Sequence, residues 1–354
     1  MGVLKALGTF ALGLGLIYLL LGYAGPGETW AVIKKAEPFW LAVAAVTFTI
    51  SILARAVRWD LLLRPMEYRG GVRGLLGIYM VSLFLSYVLP ARVGDLARPY
   101  MAGKRFDLSI GKALASVALE RVFDLLAVAL AVLLALAYLP RAMEAAWVLR
   151  GVVVLALMVV LAILVLLVSY RYEARLAALV IRIASTVQMG YVTAIGRRSS
   201  SLLGAFNRGL REMTLTRRSM VPIASISLLV WGAELATSYL VLLSLGVTAS
   251  LPAFILAISI GVAFATLPLT PGGLGSYELG VTAVLTMGGV PGASALAFSL
   301  TDHIFKYAYI LAFGAVPTFH SWKQAMAGLE GRGSRDREMA PDGNPSPGEG
   351  SGRG

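Results

Sequence analysis

The chain has 354 residues, 58% of them hydrophobic and only 14% charged, against about 25% charged in ordinary soluble domains. This balance and a positive mean hydropathy exclude a soluble globular protein and define an all-α polytopic membrane protein. The lack of cysteine removes disulfides, thiolate nucleophiles and Cys-based metal sites. The formal net charge of +12 gathers between apolar runs, as in loops facing anionic lipid, and is not a nucleic-acid footprint.

Residues 4–23 form a first apolar span, read as a retained helix because no signal-cleavage pattern follows Tyr23. The connector 25–37 is nearly neutral, with Trp30 and Trp40 placed for an aromatic belt. A second span covers 39–57. Arg55, Arg58, Arg64, Arg69 and Arg73 then mark a cytoplasmic loop, opposed only by Asp60 and Glu67. Two short apolar pieces follow, 75–89 and 93–101, split at Pro90. Spanning takes about 20 residues, so the pair reads as a re-entrant or broken hairpin, tolerated where protein or water covers its backbone.

Full spans are expected at 113–139 and 148–168. Residues 170–219 are arginine-rich with apolar residues at helical spacing (Leu176, Leu179, Val180, Ile183; then Phe206, Leu210, Met213). This is the pattern of amphipathic helices on the inner membrane surface, or of a small cytosolic helical hairpin. Another span covers 220–245. Residues 252–267 and 273–287 form a second broken pair, interrupted at Thr270-Pro271-Gly272, and 293–319 is the last span. The membrane region is thus 1–322. The Gly/Pro/Ser-rich tail, 323–354, is expected to be disordered and cytoplasmic.

About six full spans plus two hairpins place both termini in the cytoplasm of a cell-membrane protein, with every Arg-rich loop inside. The first hairpin then enters from the cytoplasm and the second from outside. When Pro90 is aligned with Pro271, Gly94 falls on Gly275 and Leu119 on Leu300. The hairpins therefore read as an inverted repeat, a sequence pointer to a midplane transport site.

Charges at membrane depth are functional candidates by default. Arg92, Asp95 and Arg98 recur every third residue after Pro90 and share a helix face. Arg92 and Arg98 suit a lipid phosphate, which guanidinium binds in a bidentate way; interfacial charges, or mutual neutralisation of Arg92 and Asp95, are the plainer alternatives. Glu120 and Asp124 lie one turn apart, and Arg121 can pair with Asp124. These three either lock helices together or contact a headgroup or proton. Gly272, Gly273, Gly275 and Glu278 follow Pro271. The glycines permit a break, and the half-helix start offers N–H donors to phosphate or carboxylate. Glu278, one turn in, either caps these donors when no substrate is present or pairs with an Arg of the first hairpin. Asp302, His303 and Lys306 form a second charged cluster and are the proton-coupling candidates. Glu234 is a mid-span carboxylate with no partner evident. No nucleophilic triad, nucleotide loop or metal motif is present, so no cofactor and no metal are expected.

The stretches LPARVGDLARPY, ALASVALERVFDLLA and TLPLTPGGLGSYE resemble the lysylphosphatidylglycerol synthase transmembrane region, or flippase-like domain, as in multiple peptide resistance factor. The likeness covers roughly 4–320. It implies two re-entrant hairpins and a lipid substrate. Its motif positions are Pro90, Arg92, Gly94, Glu120, Arg121, Asp124, Pro271, Gly272, Gly273, Gly275 and Glu278. Position 95 is Asp where many relatives are expected to carry Glu. Bifunctional relatives add an aminoacyltransferase domain, so a stand-alone form would not make lysyl-lipid. The expected function is a lipid translocase rather than an enzyme, acting on an anionic phospholipid, aminoacyl-lipid or polyprenyl-phosphate-linked lipid. A membrane enzyme acting on lipid-linked sugars, or a non-catalytic partner of a lipid-modifying enzyme, is the alternative.

Overall fold

The computed structural model describes residues 2–66, 68–89, 93–138, 146–186, 190–213, 217–266 and 270–338. Among these every regular element is helical. In chain order they are α1 (Gly2–Ala24), α2 (Pro26–Ile33), α3 (Pro38–Leu63), α4 (Gly71–Val88), α5 (Val93–Phe106), α6 (Ile110–Ala137), α7 (Ala146–Arg171), α8 (Glu173–Thr186), α9 (Gly190–Glu212), α10 (Arg217–Ser244), α11 (Leu251–Thr266), α12 (Ser276–Met287) and α13 (Gly292–Glu338). The protein is an all-α polytopic membrane protein.

Among the described residues four helical stretches are long and apolar enough to cross a membrane: Leu7–Ala24, Pro38–Met66, Gly71–Val88 and Met220–Ser244. The bent pair α7–α8 supplies a fifth if it counts as one span. With 28 residues α6 is also long enough, but Glu120, Arg121 and Asp124 make it too polar to face lipid all round. Such a helix needs partners.

Several expectations change. The second span does not stop at 57 but continues to Leu63, so Arg55 and Arg58 belong to α3 and not to a loop. The apolar run Leu61-Leu62-Leu63 beyond the charges keeps the helix buried, with Leu62 and Leu63 at most 1% exposed. The connector 25–37 contains α2, which starts on Pro26 after Gly25 at φ 83 and places Glu28 in its first turn, where an acidic group suits the helix dipole. The first hairpin is unequal. Because α4 begins at Gly71 (φ 69), it reaches 18 residues and is no shorter than a span, whereas α5, α11 and α12 have 14, 16 and 12. The break residue Pro90 and its neighbour Arg92 lie outside the described residues. At the end of the chain α13 runs to Glu338, into the stretch expected as disordered tail; 339–354 lie outside the described residues.

The amphipathic helices form as α8 and α9. The axis turns by 87° between α7 and α8, as for a helix lying along an apolar slab, and Leu179 and Ile183 stay exposed on α8. The apolar face of α9 instead docks on protein: Met213 is buried, with Phe206 and Leu210 packed beside the Trp59–Leu63 cluster.

Glycine contacts fix the hairpins. At Gly94 a Cβ would fall inside the van der Waals envelope of the Ser82 carbonyl oxygen and the Ser86 hydroxyl, and Ser82 Oγ donates to the Gly94 carbonyl at 2.8 Å. The α4–α5 pair closes only because position 94 has no side chain. Gly94→Ala should therefore destabilise the protein by about 1–3 kcal/mol through overpacking. Gly77→Ala, with no neighbour within 4 Å, should be neutral or gain roughly 0.5–1 kcal/mol. Thermal unfolding in one detergent compares the two; equal midpoints would refute the tight crossing.

Candidate functional site

Two buried polar clusters occupy the bundle centre. The first is built by α3, α5 and α6. Arg58, 0% exposed, donates through Nη1 to Asp124 at 2.8 Å and to Ser227 at 3.1 Å, and its Nη2 lies 3.2 Å from Glu120. Arg98, 1% exposed, pairs with both Glu120 oxygens at 3.2 and 3.3 Å. Its guanidinium sits 4.8 Å from the ring centroids of both Trp59 and Tyr79. This cation–π sandwich compensates desolvation on the faces that hydrogen bonds do not reach. Tyr79 Oη also donates to Glu120 at 3.3 Å, and Trp231 Nε1 to Asp124 at 3.1 Å.

Arg121 bridges Asp124 at 3.3 Å and Asp95 at 3.0 Å. The i,i+3 pair expected within α6 thus forms, and Asp95 ties α5 to it. Both described members of the α5 charged face, Asp95 and Arg98, turn toward α6. Arg98 is therefore held by a carboxylate of the protein itself. Arg92 lies outside the described residues.

The second cluster belongs to α10, α12 and α13. Lys306 Nζ contacts Asp302 at 3.0 Å, Glu234 at 3.2 Å and Ser238 at 2.8 Å. Asp302 also accepts from Tyr277 Oη at 2.5 Å. Glu234, for which the sequence offered no partner, holds Lys306 through one oxygen and Arg55 at 3.2 Å through the other, with Ser51 Oγ donating to it at 3.2 Å. Since Arg55 stacks on Trp231 at 5.9 Å, the clusters join into one polar seam.

The second break is ordered by its glycines. Gly272, Gly273 and Gly275 all have positive φ (58, 85 and 79), where a side chain would be strained. Two of the donors expected to be free at this half-helix start are used internally. Gly275 N–H donates to Glu278 Oε2 at 2.7 Å, and Gly273 N–H to the Thr270 carbonyl at 3.2 Å. The capping role weighed for Glu278 is the one it plays, with its other oxygen 2.7 Å from His303 Nδ1. His303 lies against Tyr277 and Tyr307, ring centroids 4.7 and 4.8 Å away.

The second break packs against the first hairpin. A Cβ on Gly272 would collide with Tyr307 Oη and come within 3.0 Å of the Tyr87 carbonyl, near the end of α4. On the other side Gly275 lies against the Gly13 carbonyl of α1, and Gly13 against the Leu274 carbonyl. Among the described residues no three His, Asp or Glu side chains converge as a metal would require.

Sequence reading missed Arg55, Arg58, Tyr79, Trp231 and Tyr277. The signal for Arg58 was available: a basic residue followed by Trp59 and three leucines is an unfinished helix and not a loop. Arg58→Lys should also be costly, because one ammonium cannot repeat the forked contacts to Glu120, Asp124 and Ser227. A loss of about 1–3 kcal/mol in the thermal unfolding of the substituted protein is the expected result.

A helical membrane bundle with two interrupted hairpins and a neutralised ionic centre is the class this architecture defines. The chain belongs to the lysylphosphatidylglycerol synthase TM region family, whose model matches residues 7–314. It is 31% identical, over 86% of its length, to a protein named glycosyltransferase AglD from Haloferax volcanii, and spans about half of that relative, 53%. It is also similar to a UPF0104 membrane protein of Methanothermobacter thermautotrophicus (27% identical, 90% of this chain, 97% of the relative). A UPF0104 membrane protein of Pyrococcus horikoshii is 24% identical over 84% of this chain and 91% of the relative.

Proposed function

We propose that the chain moves an anionic lipid between leaflets: a phospholipid, an aminoacyl-lipid or a polyprenyl-phosphate-linked lipid. The headgroup crosses at the polar seam while the acyl chains remain in the bilayer. The observation that carries this reading is the contact of the two interrupted segments at Tyr87 and Gly272, beside buried charge drawn from both halves of the chain. Inverted hairpins with opposed openings would give alternating access at that contact, with both termini in the cytoplasm of a cell-membrane protein. The Glu278–His303 pair is the point at which a proton would couple to movement, with Asp302 and Lys306 next to it.

Transfer of fluorescent lipid in proteoliposomes tests the proposal. Glu278→Gln removes a charge-assisted bond and should slow transfer by roughly tenfold or more. Wild-type transfer no faster than in protein-free vesicles, for each lipid class, would sink the proposal.

A second reading rests on the relative named as a glycosyltransferase. In it the chain is a membrane enzyme acting on lipid-linked sugars, or the membrane partner of a lipid-modifying enzyme. Product formed from a polyprenyl-phosphate sugar by the purified chain, seen by mass spectrometry, favours the enzyme; co-purification with such an enzyme and no lipid transfer favours the partner.

A further inference from the structure

Away from the seam, α7, α8 and α9 line an open, solvent-facing cavity of about 420 Å³, within the roughly 300–1,000 Å³ of ligand pockets. Three arginines line it, Arg171, Arg208 and Arg211, with Glu173 and the hydroxyl-bearing Ser200 and Ser201. Glu173 is already engaged, accepting from Arg211 at 2.8 Å, and Arg211 is stacked 5.5 Å over Tyr170. Neither Arg171 nor Arg208 is paired with a carboxylate among the described residues. The cavity therefore presents two uncompensated guanidinium groups on a concave wall.

Sequence spacing builds this wall. Ser201, Gly204, Arg208 and Arg211 follow one another at three and four residues, so they share a face of α9. Ala174 and Ala177 of α8 stand opposite, and their small side chains leave the space open. Gly204 forms the floor: a Cβ there would lie 3.5 Å from Arg208 Nη1 and 3.6 Å from Glu173 Oε1. The α9 helix is held firmly on α6. A Cβ at Gly111 would come 2.6 Å from Ala205 Cβ, one at Gly209 2.8 Å from Lys112 Cα, and Lys112 pairs with Glu212. Leading away from the cavity, α7 exposes Leu161, Leu164, Val165 and Leu167, an apolar track that ends at Arg171.

We propose that this cavity binds a phosphomonoester-type anion, with Arg171 and Arg208 clamping the phosphate oxygens and Ser200 and Ser201 donating to them. Such a group carries about −1.5 to −2 charges at neutral pH, which matches the two unpaired guanidinium groups, and guanidinium forks fit its oxygens. The same chemistry is offered by a lipid phosphomonoester and by free phosphate. The apolar track on α7 favours the lipid. This site is separate from the buried seam and does not depend on translocation.

Calorimetry on the full chain in detergent tests it, with dihexanoyl phosphatidic acid, dihexanoyl phosphatidylcholine and inorganic phosphate as probes. Phosphatidic acid should bind, and phosphatidylcholine should not. The double variant Arg171→Gln/Arg208→Gln should weaken binding by roughly tenfold or more. Arg175→Gln, whose side chain lies over Tyr172 outside the cavity, should bind as wild type. Gly204→Leu keeps every charge but fills the floor, and should abolish binding while the thermal midpoint stays unchanged. Binding of phosphatidic acid alone identifies the lipid as the source; comparable binding of inorganic phosphate identifies the free anion, and both support the site. Phosphatidylcholine binding as tightly, equal losses in Arg175→Gln and the double variant, full binding by Gly204→Leu, or no binding of either phosphate probe would each overturn it.

Discussion

Arg58→Met should lower the stability of the protein by about 3–5 kcal/mol, the cost of leaving buried carboxylates without their counter-ion. Arg58 is the shared partner of Glu120 and Asp124, and it is wholly enclosed. Removing it leaves Glu120 with Arg98 and the Tyr79 hydroxyl, and Asp124 with Arg121 and the Trp231 indole. The penalty arises from the orphaned charges and not from lost attraction as such. Adding Asp124→Asn to Arg58→Met should therefore restore much of the loss, because Glu120 keeps Arg98, Arg121 keeps Asp95, and a neutral group of the same shape is far cheaper to bury than a carboxylate. Thermal unfolding in detergent, followed by tryptophan fluorescence, reads both steps. A single variant as stable as wild type, or a double variant worse than the single, would show that the cluster is not held by this cation.

Lys306→Met is the second substitution with a large expected effect, again about 3–5 kcal/mol. Its ammonium separates Asp302 from Glu234, and no other cation lies on Asp302 among the described contacts. Glu234 keeps Arg55, so the strain should fall mainly on Asp302. Combining Lys306→Met with Asp302→Asn should then be clearly more stable than Lys306→Met alone, whereas combination with Glu234→Gln should help less. The two double-mutant cycles separate these contributions. Equal rescue by both would show that Lys306 serves its two carboxylates alike.

The contrast between these cations shows what could be read from the chain. Asp302 and Lys306 were legible because they stand one helical turn apart inside an apolar run, and Arg121 with Asp124 was legible for the same reason. Local spacing predicts local pairs. Trp59 and Leu61–Leu63 allowed the helix to be followed past Arg58, but hydropathy falls at Arg55 and the following arginines imitate a basic loop. That Arg58 itself sits in the core depends on burial against other helices, which local pattern does not encode. The partnership of Glu234 with Arg55 and Lys306 joins three helices distant in sequence, and only packing reveals it. The breaks at Pro90 and Pro271–Gly275 were visible as glycine and proline punctuation. The contact of Gly272 with Tyr87 of α4 was not, since segments that touch across the bundle carry no shared periodicity. The amphipathic helices α8 and α9 were clear from their period, yet the same pattern hides a difference. One apolar face seals against protein, and the other stays exposed.

The Gly275 donor before α12 is already occupied, as is the Arg98 guanidinium. In the proposed translocation, such a centre would select by exchange and not by vacancy. An incoming anion would gain a cation only by dismissing the carboxylate that now holds it, so its binding would be a swap of one ionic contact for another. Such a swap would change the free energy less than either contact alone, leaving occupancy reversible and the centre no trap.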